Sequence, residues 1–131
     1  MAEDGRTGVV ENLARVIGDL RSLSGDLESC AVLSSGGELV YSSHGEGVDR
    51  ERVSAMLKAL TNLSKGVARR NGKGRADQTR IRTDLGYVLL VRLENGGTLA
   101  ATTGPEARVG LALYDMRNVR QEIERAMEEG N

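Results

Sequence analysis

Residues 49–83, DRERVSAMLKALTNLSKGVARRNGKGRADQTRIRT, decide the fold of this chain. Asp49 is a favourable N-cap, and the apolar residues that follow it are spaced three or four apart, which predicts an amphipathic helix: Val53, Met56, Leu57, Leu60, Leu63 and Val67. Gly72 and Gly74 then end the helix. In Gln78–Thr83, Thr and Ile alternate with Gln and Arg, the period-two pattern of a half-buried strand. A strand with arginines along one face suits a sheet edge, so we expect two copies of the chain to meet here.

The rest of the chain predicts two further helices and four further strands. The helices are Thr7–Leu23 and Arg108–Glu128, and the strands are Leu27–Ser34, Leu39–Ser43, Tyr87–Leu93 and Thr98–Thr103. Turn residues such as Asn95-Gly96 join successive strands into hairpins, and residues 1–6 and 129–131 are expected to be frayed. The order α-β-β-α-β-β-β-α predicts an α/β fold in one domain, residues 1–131, with a five-stranded antiparallel sheet and helices on both faces.

Composition narrows the classes of partner. The chain has 131 residues, 39% of them hydrophobic and 28% charged, with a net charge of −1, so it reads as soluble and globular. Basic residues nevertheless cluster between Lys65 and Arg82. This cluster suits a charged protein partner, although a solvated loop explains it nearly as well. The candidate partner-binding residues are Lys65, Arg69, Arg70, Lys73 and Arg75. We expect no nucleic-acid partner, because only 2% of residues are aromatic and the predicted strands carry no aromatic surface on which bases could stack.

No residue pattern supports catalysis, a cofactor or a metal. The chain has one Cys and one His, too few for a zinc site or an internal disulfide. Cys30 falls in a buried-strand pattern and is expected to be a core residue, and His44 lies between glycines in a predicted loop. The loop at Gly66–Gly74 departs from the phosphate-binding motif in spacing and follows a helix instead of preceding one. Without an apolar span or a signal-peptide pattern, the protein is expected to be cytoplasmic and not inserted in a membrane.

The ordered set of elements resembles the roadblock/dynein light-chain family. The resemblance runs from about Val9 to Met127 and is carried by four segments and by the entry to the last helix at Leu111–Val119. The four segments are Leu27–Ser43, Asp49–Val53, Gly86–Val91 and Leu99–Pro105. The chain looks most similar to a bacterial, actinobacterial subgroup whose members are encoded beside a sensor kinase-like protein and a small Ras-like GTPase.

This resemblance implies a profilin-like α/β/α sandwich that forms a homodimer. In the family, third strands pair across a two-fold axis while second helices pack side by side, and the dimer serves a Ras-like GTPase as platform or activator. The implied interface residues are Met56, Leu60, Leu63, Thr79, Arg80, Ile81, Arg82 and Thr83. Arg80 and Arg82 would repel their own copies unless the axis staggers them or an acid of the mate, such as Asp77 or Glu94, screens them.

Three functional interpretations follow. The leading one is a non-enzymatic dimeric module that regulates or scaffolds a small GTPase. Arg69 and Arg70 are available as a donated arginine, but family members need not work that way and we assign none. The second is a purely structural dimeric tether. The third is a small-ligand sensor, against which the predicted interior is aliphatic and without convergent polar groups.

Overall fold

The computed structural model describes residues 2–43, 57, 59–63 and 77–128. Helix α1 is Ala2–Leu23, and it leads into the hairpin of β1, Leu27–Leu33, and β2, Leu39–Ser42. Residues 59–63 are helical, as predicted for the middle of the chain, and we call them the second helical segment. Strands β3, Gln78–Thr83, β4, Gly86–Arg92, and β5, Thr98–Thr103, follow. The chain then forms α2, Val109–Asn118, and α3, Arg120–Glu128.

All five strands form one antiparallel sheet in the order β2-β1-β5-β4-β3. The hairpins β1–β2, β3–β4 and β4–β5 were predicted from their turns, and Gly96 has the positive φ, 90°, that such a turn requires. The β1–β5 pairing joins the two hairpin groups, so the central strands are β1, β5 and β4. Strands β2 and β3 lie at the two edges.

Each face of the sheet carries its own apolar core, which confirms the predicted α/β/α layering. The main core lies between one sheet face and helices α1, α2 and α3. The small core lies on the opposite face, where Leu57 is buried and Leu60 of the second helical segment packs against it. Central strand β4 serves both cores: Leu89 and Val91 face the main core and Leu90 the small core, as its continuous apolar run predicts.

Two helix boundaries differ from the predicted ones. Helix α1 begins at Ala2, not Thr7, so residues 2–6, expected to be frayed, are helical; Ala2 and Glu3 are good helix formers that an apolar stripe does not register. The predicted last helix is two helices separated at Val119, whose φ of −96° and ψ of 2° are non-helical. Asn118 and β-branched Val119 have low helix propensity. The Nε of Arg120 donates to the Arg117 carbonyl at 3.2 Å and caps the end of α2.

Candidate functional site

The β3 residues that were predicted to form the interface lie at an exposed edge of the sheet. β3 pairs with β4 from Gln78↔Val91 to Thr83↔Gly86, and no other strand of the described residues lies beside it. A two-residue turn, Asp84-Leu85, closes this hairpin, and the hydroxyl of Thr83 donates to the carbonyl of Gly86 at 3.0 Å. The turn therefore joins β3 directly to β4, its only neighbouring strand among the described residues.

The backbone of β3 presents hydrogen-bonding groups outward at alternate residues. The Arg92 N–H donates to the Asp77 carbonyl at 2.8 Å, so residues 77 and 92 form a hydrogen-bonded pair. Hydrogen-bonded pairs alternate with non-hydrogen-bonded pairs along an antiparallel ladder, which turns the N–H and C=O groups of Gln78, Arg80 and Arg82 away from β4. An edge of this kind is a template for pairing with another strand.

The inner side-chain row of β3 extends the small-core face. Thr79 lies opposite Leu90, and Ile81 lies opposite Val88; both β3 side chains are half-buried. Val88 and Leu90 belong to or pack against the small core. On the same face, the second helical segment contributes Leu60, half-buried, and Leu63, 64% exposed. This face thus carries the half-buried side chain of Ile81 at the sheet edge, and the second helical segment adds partly covered apolar side chains to the same face.

The arginines of β3 lie on the opposite, main-core face. Gln78 and Arg80 lie opposite Val91 and Leu89, two buried residues of the main core. The side chains of Gln78, Arg80 and Arg82 are all exposed. The Arg117 side chain of α2 donates a hydrogen bond to the Gln78 side chain at 2.6 Å. Helix α2 therefore runs up to the beginning of β3. Among the described residues, no carboxylate lies within ion-pair distance of the arginine side chains of β3.

The structure covers only part of the predicted site. It brings Thr79 and Ile81 onto one face with Leu60, places Arg80 and Arg82 on the other, and leaves Thr83 exposed at the hairpin end. Several predicted residues lie outside the described residues: Met56, Lys65, Arg69, Arg70, Lys73 and Arg75.

Sequence reasoning missed two exposed apolar residues of α2, Leu111 at 46% exposure and Tyr114 at 53%. The sequence could have identified them, because neither Leu111 nor Tyr114 belongs to the apolar stripe of this helix through Val109, Leu113 and Met116. An apolar residue off the buried stripe of a helix is a candidate for contact with another molecule.

A small cleft opens at the end of the small-core face, between the β1–β2 turn, the second helical segment and the β4–β5 turn. Its volume is about 70 Å³, and its lining includes Ser34, Thr61, Asn62 and Thr98. The hydroxyl oxygen of Thr61 is buried and has no hydrogen-bond partner among the described residues. A drug-sized ligand needs a pocket of roughly 300 Å³ or more, so this cleft has room for water-sized groups only.

Cys30 is a core residue, as expected. It is 2% exposed within the main core, and this burial raises the pKa of its thiol to about 11, a direction opposite to that of a reactive cysteine. No helix among the described residues is long and apolar enough to cross a membrane. Within the same residues, no cluster of three or more His, Cys, Asp or Glu side chains is arranged to bind a metal ion.

Solved structures of known proteins share the fold of this chain. The structure of Myxococcus xanthus MglB superposes with a TM-score of 0.76 at 12% identity, covering 88% of this chain and 94% of that chain. A Roadblock/LC7 domain from Streptomyces avermitilis superposes with a TM-score of 0.74 at 18% identity, covering 85% and 93%. Schizosaccharomyces pombe profilin gives a TM-score of 0.60 at 12% identity, covering 86% and 95%, which confirms the profilin-like architecture.

Family membership comes from the sequence. No curated protein matches the chain. The family model of the Roadblock/LC7 domain matches residues 15–103, more than half of the chain and all five strands of the sheet. The structural similarities, at low identity, establish the fold alone, so the actinobacterial subgroup stays a prediction. The chain belongs to the Roadblock/LC7 family.

Proposed function

We propose that this chain, as a single domain of residues 1–131, is a non-enzymatic, homodimeric regulatory module that binds a small Ras-like GTPase in the cytoplasm as its activator or scaffold. The observation that carries the proposal is the open edge of β3 in a chain of the Roadblock/LC7 family. The fold is shared with MglB, and family resemblance associates such dimers with small GTPases.

Dimerisation supplies what the edge lacks. A two-fold axis beside β3 pairs the outward N–H and C=O groups of Gln78, Arg80 and Arg82 with the same groups of a second copy. Half-buried Ile81, together with Leu60 and exposed Leu63, would then pack against their symmetry mates on the small-core face. One continuous ten-stranded sheet results, flanked by two copies of every helix. A partner would meet a surface that a single copy does not offer.

Substitution of Ile81 tests the dimer. We expect Ile81→Asp to convert the protein to a monomer, because a buried, unpaired carboxylate at the centre of the interface costs several kcal/mol. Multi-angle light scattering measures the mass directly. Leu85→Asp introduces the same charge at a turn position that is 86% exposed and lies outside the predicted interface, so it serves as the matched control. An unchanged dimer in Ile81→Asp would contradict the β3 interface.

GTP turnover separates the activator from the scaffold. The immobilised protein is incubated with a lysate of its native host, and a captured Ras-like GTPase is then purified and assayed for single-turnover hydrolysis with and without wild-type protein. Faster hydrolysis identifies an activator, whereas binding at an unchanged rate identifies a scaffold. Capture of no GTPase, or equal capture by Ile81→Asp and wild type, would reject the proposed function of the dimer.

The structural tether remains the second candidate, because an edge that pairs two copies needs no GTPase. It predicts a dimer that neither binds a GTPase nor changes hydrolysis, which the same assays detect. The cleft of about 70 Å³ beside the second helical segment gives no support to the small-ligand sensor, because its volume is far below that of a ligand pocket. We expect native mass spectrometry of the purified dimer to detect no bound small molecule.

A further inference from the structure

A continuous surface on the main-core face joins the arginines of β3 to the exposed side of α2. Arg80 and Arg82 project from the same face of β3 as Gln78, and Gln78 accepts the hydrogen bond of Arg117. Tyr114 lies one turn before Arg117 on α2, and Leu111 lies one turn before Tyr114, so neighbouring turns carry these side chains side by side. We call Arg80, Arg82, Arg117, Tyr114 and Leu111 the arginine–tyrosine surface.

The charge of this surface is unbalanced. Three arginines lie on it, and among the described residues none of them has a carboxylate within ion-pair distance; Arg117 instead contacts the neutral amide of Gln78. The ion pair between Arg108 and Asp26, at 3.1 Å, lies away from this surface, at the beginning of α2. Arginines without an ion-pair partner among the described residues, beside exposed apolar side chains, form a surface complementary to an acidic, partly apolar ligand.

The apolar part of the surface favours a protein ligand over a nucleic acid. Leu111 and Tyr114 are about half exposed, at 46% and 53%, and a single tyrosine beside a leucine is a poor platform for successive bases but a common anchor in protein interfaces. The spacing favours a helix. Side chains two apart on a strand are about 7 Å apart, and carboxylates at i and i+4 of a helix are about 6 Å apart along its axis, so such a pair matches Arg80 and Arg82.

We propose that the arginine–tyrosine surface binds an acidic amphipathic helix of a partner protein, with carboxylates on the arginines and apolar side chains on Tyr114 and Leu111. This inference rests on the proposed dimer for its full extent, because the two-fold axis beside β3 places the second copy's arginines next to the first set. Each protomer nevertheless contains one complete copy of the surface.

Fluorescence anisotropy with a designed helix tests the surface. The probe is a fluorescein-labelled peptide of about 18 residues, long enough to be helical, with Glu at i, i+4, i+7 and i+11 and Leu along one flank. We expect Arg80→Gln with Arg82→Gln to weaken binding about tenfold or more, and Tyr114→Ala about threefold or more. The matched control, Arg15→Gln with Arg125→Gln, removes two exposed arginines of α1 and α3 and should leave affinity unchanged.

Further arms of the same titration distinguish the alternatives. A peptide with Gln in place of Glu should bind at least about tenfold more weakly; equal binding would overturn the proposed charge recognition. A single-stranded oligonucleotide of similar length should bind weakly. Tight oligonucleotide binding that Tyr114→Ala leaves unchanged would overturn the protein-ligand assignment. If the β3 variant and the α1/α3 control variant lost peptide affinity equally, the peptide would not bind specifically at the arginine–tyrosine surface, and the proposed location would be overturned.

Light scattering of the same samples separates this inference from the proposed function. A dimer that does not bind the acidic peptide refutes the docking surface and leaves the dimer intact. A monomer that binds the peptide with the expected pattern of variants refutes the dimer and supports the docking surface. Far-UV circular dichroism of every variant checks that folding is retained, because all substituted side chains are exposed or half-buried.

Discussion

Asp26, in the loop between α1 and β1, joins two elements that are distant in the sequence. Its carboxylate accepts hydrogen bonds from the backbone N–H and the side-chain Nε of Arg108, both at 3.1 Å. Arg108 is the N-cap residue of α2 and makes no side-chain capping bond of its own. Asp26 therefore satisfies an N–H at the helix start from outside the helix, where a negative charge also interacts favourably with the helix dipole.

This arrangement predicts a pH-dependent contribution of Asp26 to stability. The backbone hydrogen bond of Arg108, followed by its side-chain hydrogen bond, lowers the pKa of Asp26 below its ordinary value of 3.8. A carboxyl whose pKa is lowered by folding stabilises the protein above its unfolded pKa, and this stabilisation is lost as pH falls through the folded pKa. In urea unfolding at pH 7 and pH 3, Asp26→Asn should lose less stability on acidification than wild type. An equal loss in Asp26→Asn and wild type would contradict this contribution.

Cys30 reports on opening of the main core. Because its thiol is buried and the pKa is raised to about 11, we expect almost no thiolate and no access for reagents in the native state at pH 8. Iodoacetamide labelling followed by mass spectrometry should therefore be slow in buffer and complete in urea. Labelling in buffer at the rate of a free thiol would mean that β1 opens without global unfolding.

At the scale of elements, the sequence predicted the features that depend on local patterns, namely the bounds of strand β3 and the turn at Asn95-Gly96. Strand β3 begins and ends where its alternating pattern does, and Gly96 has the positive φ that Asn95-Gly96 predicted. The break at Val119 was not predicted, because an apolar stripe continues through it; the two helices differ in what they pack against, α2 against β4 and α3 against α1. The exposed positions of Leu111 and Tyr114 likewise follow from how α2 is rotated on the sheet, which a hydrophobic pattern constrains only broadly.

The β3–β4 hairpin depends on a close approach at Gly86. This residue has a φ of 143°, and a Cβ atom there would collide with the carbonyl oxygen of Thr103 on β5. We expect Gly86→Ala to destabilise the protein by more than about 1 kcal/mol, because both the backbone angle and the contact must change. Gly18→Ala is the matched control: it lies within α1 with no atom near the added Cβ, and should stabilise by about 0.5–1 kcal/mol. Urea denaturation measures both; an unaffected Gly86→Ala would show that β4 can shift away from β5.

At the scale of the whole molecule, the proposed dimer brings like charges together. In the two registers centred on Arg80 or Ile81, the outward groups of β3 pair with those of a second copy and Arg80 lies opposite its own copy or Arg82. Asp77 lies opposite Arg92, one position out of phase with the arginines, and so falls on the other face of the ladder. For a dimer in these registers, we therefore expect repulsion between the arginines of the two copies and no screening by Asp77 of the mate.

Salt distinguishes these two arrangements. If arginines repel across the axis, the dimer should tighten as NaCl is raised from about 0.1 M to about 1 M, where the Debye length falls from about 10 Å to about 3 Å. Arg80→Gln with Arg82→Gln should dimerise more tightly at low salt and depend less on salt, while keeping the same apolar contacts at Ile81 and Leu63. Analytical ultracentrifugation gives the dissociation constants. A wild-type dimer that weakens with salt would show instead that acids of the mate screen the arginines, which would leave less charge for an acidic partner. Binding of the acidic peptide, in contrast to dimerisation, should weaken as salt is raised, because it depends on attraction between opposite charges.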